Sequence, residues 1–167
     1  MSALASPDPD RATDERLLRE AIRLSRARMR QGRGGPFGAV VARDGVVVAR
    51  GWNAVTSTCD PTAHAEVVAI RRACRGLGTF SLAGCVLYAS CEPCPMCLAA
   101  AYWARVDRLV YAATRDDAAR AGFDDALIYR EVPLPPEARS LPTDQLLHAE
   151  GDAVLGEWLA KPDRVPY

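Results

Sequence analysis

Two short pieces of the sequence carry side chains that bind metals and move protons. His64 and Glu66 are separated by one alanine, and Cys94 and Cys97 enclose two residues further along the chain. One imidazole and two thiolates suit a borderline-soft divalent ion, and zinc takes such ligands tetrahedrally. Three protein ligands leave the fourth position to water, which is the pattern of a catalytic site. A zinc-bound water loses a proton near neutral pH, so such a site supplies hydroxide for a hydrolysis.

Glu66 fits the role of a proton carrier better than that of a fourth ligand. Side chains two positions apart do not share a helix face, so Glu66 and His64 do not reach one ion from the same side. A carboxylate that approaches the metal-bound water from the side takes its proton and passes it on. The spacing permits this catalytic role for Glu66.

Cys91 extends the cysteine pair to C-x-x-C-x-x-C and opens other interpretations. An iron–sulfur motif of this type needs a fourth cysteine at position 101, where the sequence has alanine. A redox dithiol leaves His64 and Glu66 without a role. A structural zinc site with Cys91 as the fourth ligand remains the alternative to an open catalytic site.

The hydrophobic spacing predicts the elements that position these residues. Asp44-Gly45 between two β-branched runs predicts a hairpin, and Thr62 and Pro93–Pro95 mark the expected starts of the two motif helices. An opening hairpin followed by alternating helices and strands predicts an α/β fold, a three-layer α/β/α sandwich around one central mixed sheet. Along the chain we expect a loose lead-in over 1–13, helix 14–31, the hairpin, helix 64–75, strand 85–90, helix 96–104, strand 108–113, helix 124–131, a proline-rich connector 132–142 and helix 143–159.

Composition narrows the class of protein. The 167 residues include 21 Lys+Arg and 21 Asp+Glu, so the formal charge is zero and a nucleic-acid partner is disfavoured. The length suits a single domain, expected over 14–167. The apolar runs fall short of the ~20 residues of a membrane span. Acidic residues interrupt the N-terminus, which argues against a signal peptide and for a cytoplasmic protein, in which cysteines serve as thiols or metal ligands.

The motifs resemble those of a known family. H-A-E followed by P-C-x-x-C is the signature of the zinc-dependent nucleoside and nucleobase deaminases, which have a cytidine-deaminase-like fold. The segments 34–40, 60–66, 90–97, 102–105 and 121–125 are similar to bacterial guanine deaminases. The resemblance runs from about Gly32 to Tyr129 and includes the terminal Tyr167.

The resemblance implies a zinc-dependent hydrolytic deamination of guanine to xanthine and ammonia. It implies one zinc ion per chain held by His64, Cys94 and Cys97, with Glu66 as the shuttle that moves protons from water to the ring and the leaving amine. It also implies a homodimer whose C-terminal tail closes the active site and can be exchanged between subunits. The implied substrate-binding residues are Phe37 as a wall, Asn53 and Asp125 as polar contacts, and Tyr167 in the tail.

Other interpretations of these residues stay open. Asn53 is equally suited to an Asx turn, Asp124 and Asp125 to helix capping, and Tyr167 to a frayed end. The alternative substrates are another free aminated ring, such as cytosine or an amino-triazine, or the adenosine of a tRNA. From a different class, the alternative is a non-catalytic binding module stabilised by zinc.

Arginines on the first predicted helix share one face. Their spacing of three and four residues keeps them opposite the apolar side, which favours a solvated surface. The other interpretation is a phosphate-binding track of a tRNA adenosine deaminase, whose binding would weaken steeply with salt. The six residues are Arg16, Arg19, Arg23, Arg26, Arg30 and Arg33.

Overall fold

The fold is built on a mixed four-stranded β-sheet. The structure is a computed structural model and describes residues 9–166. The strand order is β2-β1-β3-β4, with β1 antiparallel to both of its neighbours and β3 parallel to β4. The strands are β1 (Gly38–Arg43), β2 (Val46–Trp52), β3 (Cys85–Cys91) and β4 (Arg108–Ala113).

Helices cover both faces of the sheet. Along β1, Ala39 and Val41 face the cluster that contains α3 and α4 residues, whereas Val40 packs with Leu17 of α1 on the opposite face. This alternation confirms the predicted α/β/α sandwich, since successive strand residues point to opposite faces. The helices are α1 (Pro9–Arg30), α2 (Val55–Thr58), α3 (Ala65–Leu77), α4 (Pro95–Trp103), α5 (Arg115–Arg120), α6 (Ala126–Glu131) and α7 (His148–Ala160), with a 3-10 turn at Pro136–Ala138.

Gly51 lets α3 lie directly on the edge strand β2. A β-carbon built on Gly51 would stand 2.0 Å from the carbonyl oxygen of Ala65, so any side chain there would push the helix away. Ala65 is the first residue of α3 and lies between His64 and Glu66. The glycine therefore fixes the helix end that presents both of these side chains.

Two predicted helix starts in the N-terminal half of the chain are wrong. Helix α1 begins at Pro9, so the lead-in predicted over 1–13 is helical from residue 9, and residues 1–8 lie outside the described residues. Proline is tolerated in a first turn, and Asp10 interacts favourably with the helix dipole there. Helix α3 does not start at Thr62, because Thr62 N–H and Oγ1 donate to Asp60 Oδ1 at 2.8 and 2.6 Å in a turn.

The later helices also depart from the prediction at their boundaries. Helix α7 begins at His148 and not at 143, because Leu147 has a left-handed φ of 55° that is incompatible with continuing a helix towards its N-terminal side. The short helices α2 and α5 were not predicted. Four to six residues carry too little of a 3.6-residue pattern to be recognised by hydrophobic spacing.

The chain divides into two compact units between Asp125 and Ala126. The first contains the sheet and α1 to α5. The second contains α6 and α7, neither of which has a buried residue. The single domain expected over 14–167 stays a prediction. Within residues 9–166, no helix has the length and apolar character to cross a membrane.

Candidate active site

His64, Cys94 and Cys97 meet where two helices begin. His64 is the N-cap of α3, Cys94 is the N-cap of α4, and Cys97 lies in the first turn of α4. His64 Nδ1 lies 3.5 Å from each of the two Sγ atoms, and the three candidate ligand atoms lie within 4.8 Å of one another. The structure thus brings together three residues that are up to 33 positions apart in the sequence.

The spacing of these atoms fits one tetrahedral zinc ion. Zinc–sulfur and zinc–nitrogen bonds of about 2.3 and 2.0 Å at a tetrahedral angle separate the ligand atoms by about 3.5 Å. That separation matches both imidazole–thiol distances. Among the described residues, this trio is the group of His, Cys, Asp and Glu side chains that meets the geometry of a metal site.

The two thiols have different acidities in the metal-free protein. A hydrogen bond from Cys97 and a weaker contribution from His64 lower the pKa of the Cys94 thiol to about 4, although partial burial opposes this. The same hydrogen bond, together with burial, raises the pKa of Cys97. A bound cation removes this asymmetry, because metal-ligating cysteines are deprotonated.

Cys91 does not join the trio. Its Sγ donates to the carbonyl oxygen of Thr114 at 3.4 Å, and burial raises the pKa of this thiol to about 11. A protonated thiol committed to a backbone acceptor is a poor zinc ligand. The arrangement therefore favours three protein ligands over the four-ligand structural site.

Glu66 is buried beside the trio. It is the second residue of α3, only 6% exposed, and its Oε2 accepts the thiol hydrogen of Cys97 at 3.4 Å. Burial raises the pKa of Glu66, and the Cys97 hydrogen bond opposes that rise. A carboxyl whose pKa is shifted towards neutrality suits a group that alternately accepts and donates a proton.

Asn53 follows the last residue of β2 and is held by the backbone. Its Oδ1 accepts N–H groups from Gly35 at 3.1 Å and Val55 at 3.3 Å. The contact to Val55 is the Asx turn that the sequence left open. Because the backbone occupies Oδ1, the group that Asn53 can offer to a ring is the donor Nδ2.

Phe37 and Phe123 form an aromatic pair. Their ring centroids lie 4.9 Å apart at an interplanar angle of 85°, an edge-to-face contact. Phe123 lies in the segment 121–125, but the sequence predicts no role for it, since a contact between residues 86 positions apart leaves no local signal. Asp125, two residues later, has its pKa raised by burial and by the charge of Cys94, whereas Arg115 opposes the rise.

Tyr167, the predicted tail residue, lies outside the described residues. Five of the six arginines lie on α1, whereas Arg33 follows the end of the helix at Arg30, and all six are solvent-exposed. Arg19 pairs with Glu15, and Arg16 donates to the carbonyl oxygen of Gly45 at 2.7 Å.

The comparison with known proteins agrees with this geometry. The model of the cytidine and deoxycytidylate deaminase zinc-binding region matches residues 11–113, which include His64, Glu66, Cys94 and Cys97. The chain belongs to this deaminase family. The family binds zinc, and the trio described above supplies the matching donor set.

Relatives within the family are similar over different lengths. Guanine deaminase of Bacillus subtilis (strain 168) is 51% identical over 144 residues, which cover 86% of this chain and 92% of that protein. The X-ray structure of guanine deaminase from Bacillus subtilis matches with a TM-score of 0.89 and 48% identity over 92% of this chain and 98% of that chain. A tRNA-specific adenosine deaminase of Aquifex aeolicus (strain VF5) is 38% identical over 59% of this chain and 65% of that protein.

Proposed function

We propose that this deaminase hydrolyses guanine to xanthine and ammonia in a zinc-dependent reaction. The observation that carries the proposal is the three-ligand trio with the buried Glu66 carboxyl beside it. The similarity to a guanine deaminase over nearly its whole length supports the choice of substrate. His64, Cys94 and Cys97 would hold the zinc ion, which would lower the pKa of a bound water and so supply a nucleophile at neutral pH.

Glu66 moves the protons of the reaction. Its carboxylate takes a proton from the attacking water and passes it to the ring nitrogen next to the aminated carbon. Protonation makes that carbon more electrophilic, so the oxygen of the deprotonated water adds to it. The same carboxyl then delivers the second water proton to the amine, which leaves as ammonia while the carbonyl of xanthine forms. Such a proton carrier typically contributes ~10²–10⁴-fold to the rate.

The pocket recognises the ring through an apolar wall and two polar groups of opposite character. Phe37 gives a face for the flat ring, Asn53 Nδ2 donates, and the Asp125 carboxylate accepts from ring N–H groups. An acceptor that the bound ring covers rejects rings that offer no N–H, because its own charge would then stay unpaired. Tyr167, which lies outside the described residues, stays the fourth predicted substrate-binding residue.

Substitution of Glu66 by glutamine tests the reaction directly. The Glu66→Gln protein should keep one zinc per chain and release ammonia from guanine ~10²–10⁴-fold more slowly. Glu15→Gln on the exposed side of α1 is the matched control and should keep full activity. A wild-type protein that binds zinc but releases no ammonia from guanine, cytosine or amino-triazines would instead indicate a zinc-stabilised binding module.

A tRNA adenosine deaminase is the second candidate, favoured by the exposed arginine face of α1 and by the similarity to a tRNA-specific enzyme. Phosphate contacts make binding weaken steeply with salt. Turnover of free guanine that stays constant between 50 and 200 mM salt, without nucleic acid present, would exclude this candidate.

We also propose that the protein is a homodimer in the cytoplasm. Helix α4 exposes 77% of Tyr102 and 67% of Trp103, an aromatic surface suited to a second copy. The six cysteines are free thiols, which suits a reducing compartment. Sedimentation at micromolar concentration tests the dimer, and a monomer would contradict it.

Exchange of the tail is tested by mixing two impaired proteins. Glu66→Gln has an inactive site and an intact tail, whereas Tyr167→Ala has an intact site and an altered tail. If tails are exchanged, refolding the two together restores activity above the sum of the two separate activities. If each tail closes its own site, the mixture shows only the sum of the separate activities.

A further inference from the structure

Glu92 joins the cysteine loop to helix α5. It lies between Cys91 and Cys94, and its carboxylate Oε2 accepts the backbone N–H of Arg115, the first residue of α5, at 3.0 Å. Its own backbone N–H donates to the carbonyl oxygen of Ala113 at 2.8 Å. The side chain thus links the loop that carries a zinc ligand to an element that follows β4.

Helix α5 does not need Glu92 as a cap. Thr114 Oγ1 accepts the N–H of Asp117 at 3.3 Å, and Asp117 Oδ2 accepts the N–H of Thr114 at 2.8 Å. These two bonds form a complete capping box. The bond from Arg115 to Glu92 is therefore an attachment between two elements, not a requirement for the helix itself.

Helix α5 lies on the surface of the protein. None of its residues is buried, and segments without buried apolar contacts open locally at low cost. The helix leads through Gly122, which has a φ of 91°, to Phe123, whose N–H donates to the carbonyl oxygen of Ala118 at 2.9 Å. The position of α5 therefore determines where Phe123 meets Phe37.

Asp125 depends on the same segment. It lies two residues after Phe123, in the segment that leaves α5, and the charge of Arg115, the first residue of α5, acts on its carboxyl. Movement of α5 would displace the aromatic pair and this carboxyl together, while the zinc ligands on α3 and α4 stay in place.

We propose that Glu92 is a positioning residue that ties the Cys94 loop to α5 and thereby holds Phe123 against Phe37 and Asp125 at the substrate. The proposal rests on the proposed function, because it concerns the residues that bind the ring. Glu92 itself does not touch the substrate and acts through α5.

The test compares Glu92→Ala with Glu92→Gln. The alanine variant loses the acceptor, so KM for guanine should rise about tenfold or more while kcat changes much less and zinc stays at one per chain. The glutamine variant keeps an oxygen that accepts the Arg115 N–H and should restore KM to within about twofold of wild type. Arg120→Gln, on the exposed side of α5, is the control and should leave KM unchanged.

Hydrogen exchange supplies a measurement that does not depend on activity. Amides of residues 115–125 should exchange about tenfold faster in Glu92→Ala than in wild type, whereas those of α3 and α4 should not change.

An unchanged KM and unchanged exchange in Glu92→Ala would overturn the proposal, as would a glutamine variant as impaired as alanine. If Glu92→Ala does not fold, Glu92→Gln decides alone: wild-type KM and exchange support the link, and raised values overturn it. A wild-type protein inactive on guanine would overturn the proposed function, while the exchange result would still report on the link.

Discussion

Asn53 Oδ1 accepts the backbone N–H of Gly35 at 3.1 Å, which joins the end of β2 to the loop before β1. Together with the bond from Val55, this contact sets the orientation of the amide, so Nδ2 is the group left to donate. The amide is buried, with 7% of Asn53 exposed, and a buried amide in a fixed orientation discriminates between donors and acceptors on a ligand.

Asn53→Asp separates the two roles of this side chain. Aspartate keeps an oxygen for Gly35 and Val55 but replaces the donor Nδ2 by an acceptor, so KM for guanine should rise at least tenfold while both backbone N–H groups keep a partner. Asn53→Ala leaves both N–H groups without their acceptor and should also destabilise the protein by about 1–3 kcal/mol. Steady-state kinetics and thermal denaturation measure the two effects. An aspartate variant with wild-type KM would contradict the role of Nδ2.

Gly34 and Gly35 should differ sharply in their tolerance of alanine. A β-carbon at Gly34 would stand 2.0 Å from the carbonyl oxygen of Asn53, at a φ of 144° that side chains rarely adopt. At Gly35 the nearest atoms would be 3.5 Å away, which is ordinary contact. Gly34→Ala should therefore cost more than about 2 kcal/mol of unfolding free energy, and Gly35→Ala much less. Equal losses in chemical denaturation would disprove this explanation.

Metal content should distinguish Cys91 from Cys94. Cys94→Ser removes a zinc ligand and should abolish stoichiometric binding, whereas Cys91→Ser keeps a hydroxyl that can donate to Thr114 and should retain one zinc per chain. Metal analysis of the purified proteins measures this. Zinc at 100 times its Kd should stabilise the wild type and Cys91→Ser by about 2.7 kcal/mol, and Cys94→Ser far less. Loss of zinc from Cys91→Ser would favour the four-ligand site.

The metal-free protein should be stabilised by Glu66→Gln in a pH-dependent way. Burial raises the pKa of Glu66 above its ordinary value of 4.5, so folding favours the neutral acid. The resulting stability is complete below pH 4.5 and is lost as the pH rises through the raised pKa. In chelator, Glu66→Gln should therefore have a higher Tm than wild type at pH 7.5, with the difference vanishing near pH 4. A difference that is the same at both pH values would contradict the burial of an ionisable carboxyl.

Local sequence signals predicted the residues near helix ends better than the contacts between distant segments. His64, Cys94 and Cys97 could be grouped because their residue types admit few chemistries besides metal binding. The position of His64 as the N-cap is less predictable, since threonine is a more common N-cap and the sequence favours Thr62. In the folded chain that threonine bonds to Asp60, which leaves the helix to start two residues later.

The missed elements also have physical reasons. Helix α5 could have been recognised from Thr114 and Asp117, whose spacing is that of a capping box although aspartate replaces the usual glutamate. The contact between Phe37 and Phe123 and the bond from Arg115 to Glu92 depend on how the strands align. A register of strands is set by the whole sheet, so no single segment predicts these pairs.

A polar triad of Asp14, Tyr88 and Arg108 lies on the face of the sheet away from α3 and should make the stability of the protein depend on pH. Tyr88 is buried on β3 and donates its hydroxyl to Asp14 Oδ1 at 2.7 Å, while Arg108 on β4 donates to both Asp14 oxygens at 2.6 and 2.7 Å. These bonds tie α1 to two strands. The hydrogen bond from Arg108 is the main reason that the pKa of Asp14 lies below its ordinary value of 3.8, and burial also raises the pKa of Tyr88 to about 12.

Because the pKa of Asp14 is lower in the folded protein than in the unfolded chain, its charge stabilises the fold at pH values above the unfolded pKa. This contribution is lost as the pH falls through the pKa of the folded state. Asp14→Asn keeps the shape but removes the charge, so it should cost about 1 kcal/mol at pH 7, or roughly 2–4 °C in Tm, for a pair that is half exposed on its arginine side. The gap between wild type and variant should close as the pH falls below about 4. Glu15→Gln, whose partners on the same helix are exposed, is the control and should leave the Tm unchanged. Thermal denaturation from pH 2.5 to 7 measures both variants, and a gap that persists at pH 2.5 would show that the charge of Asp14 is not what stabilises the fold.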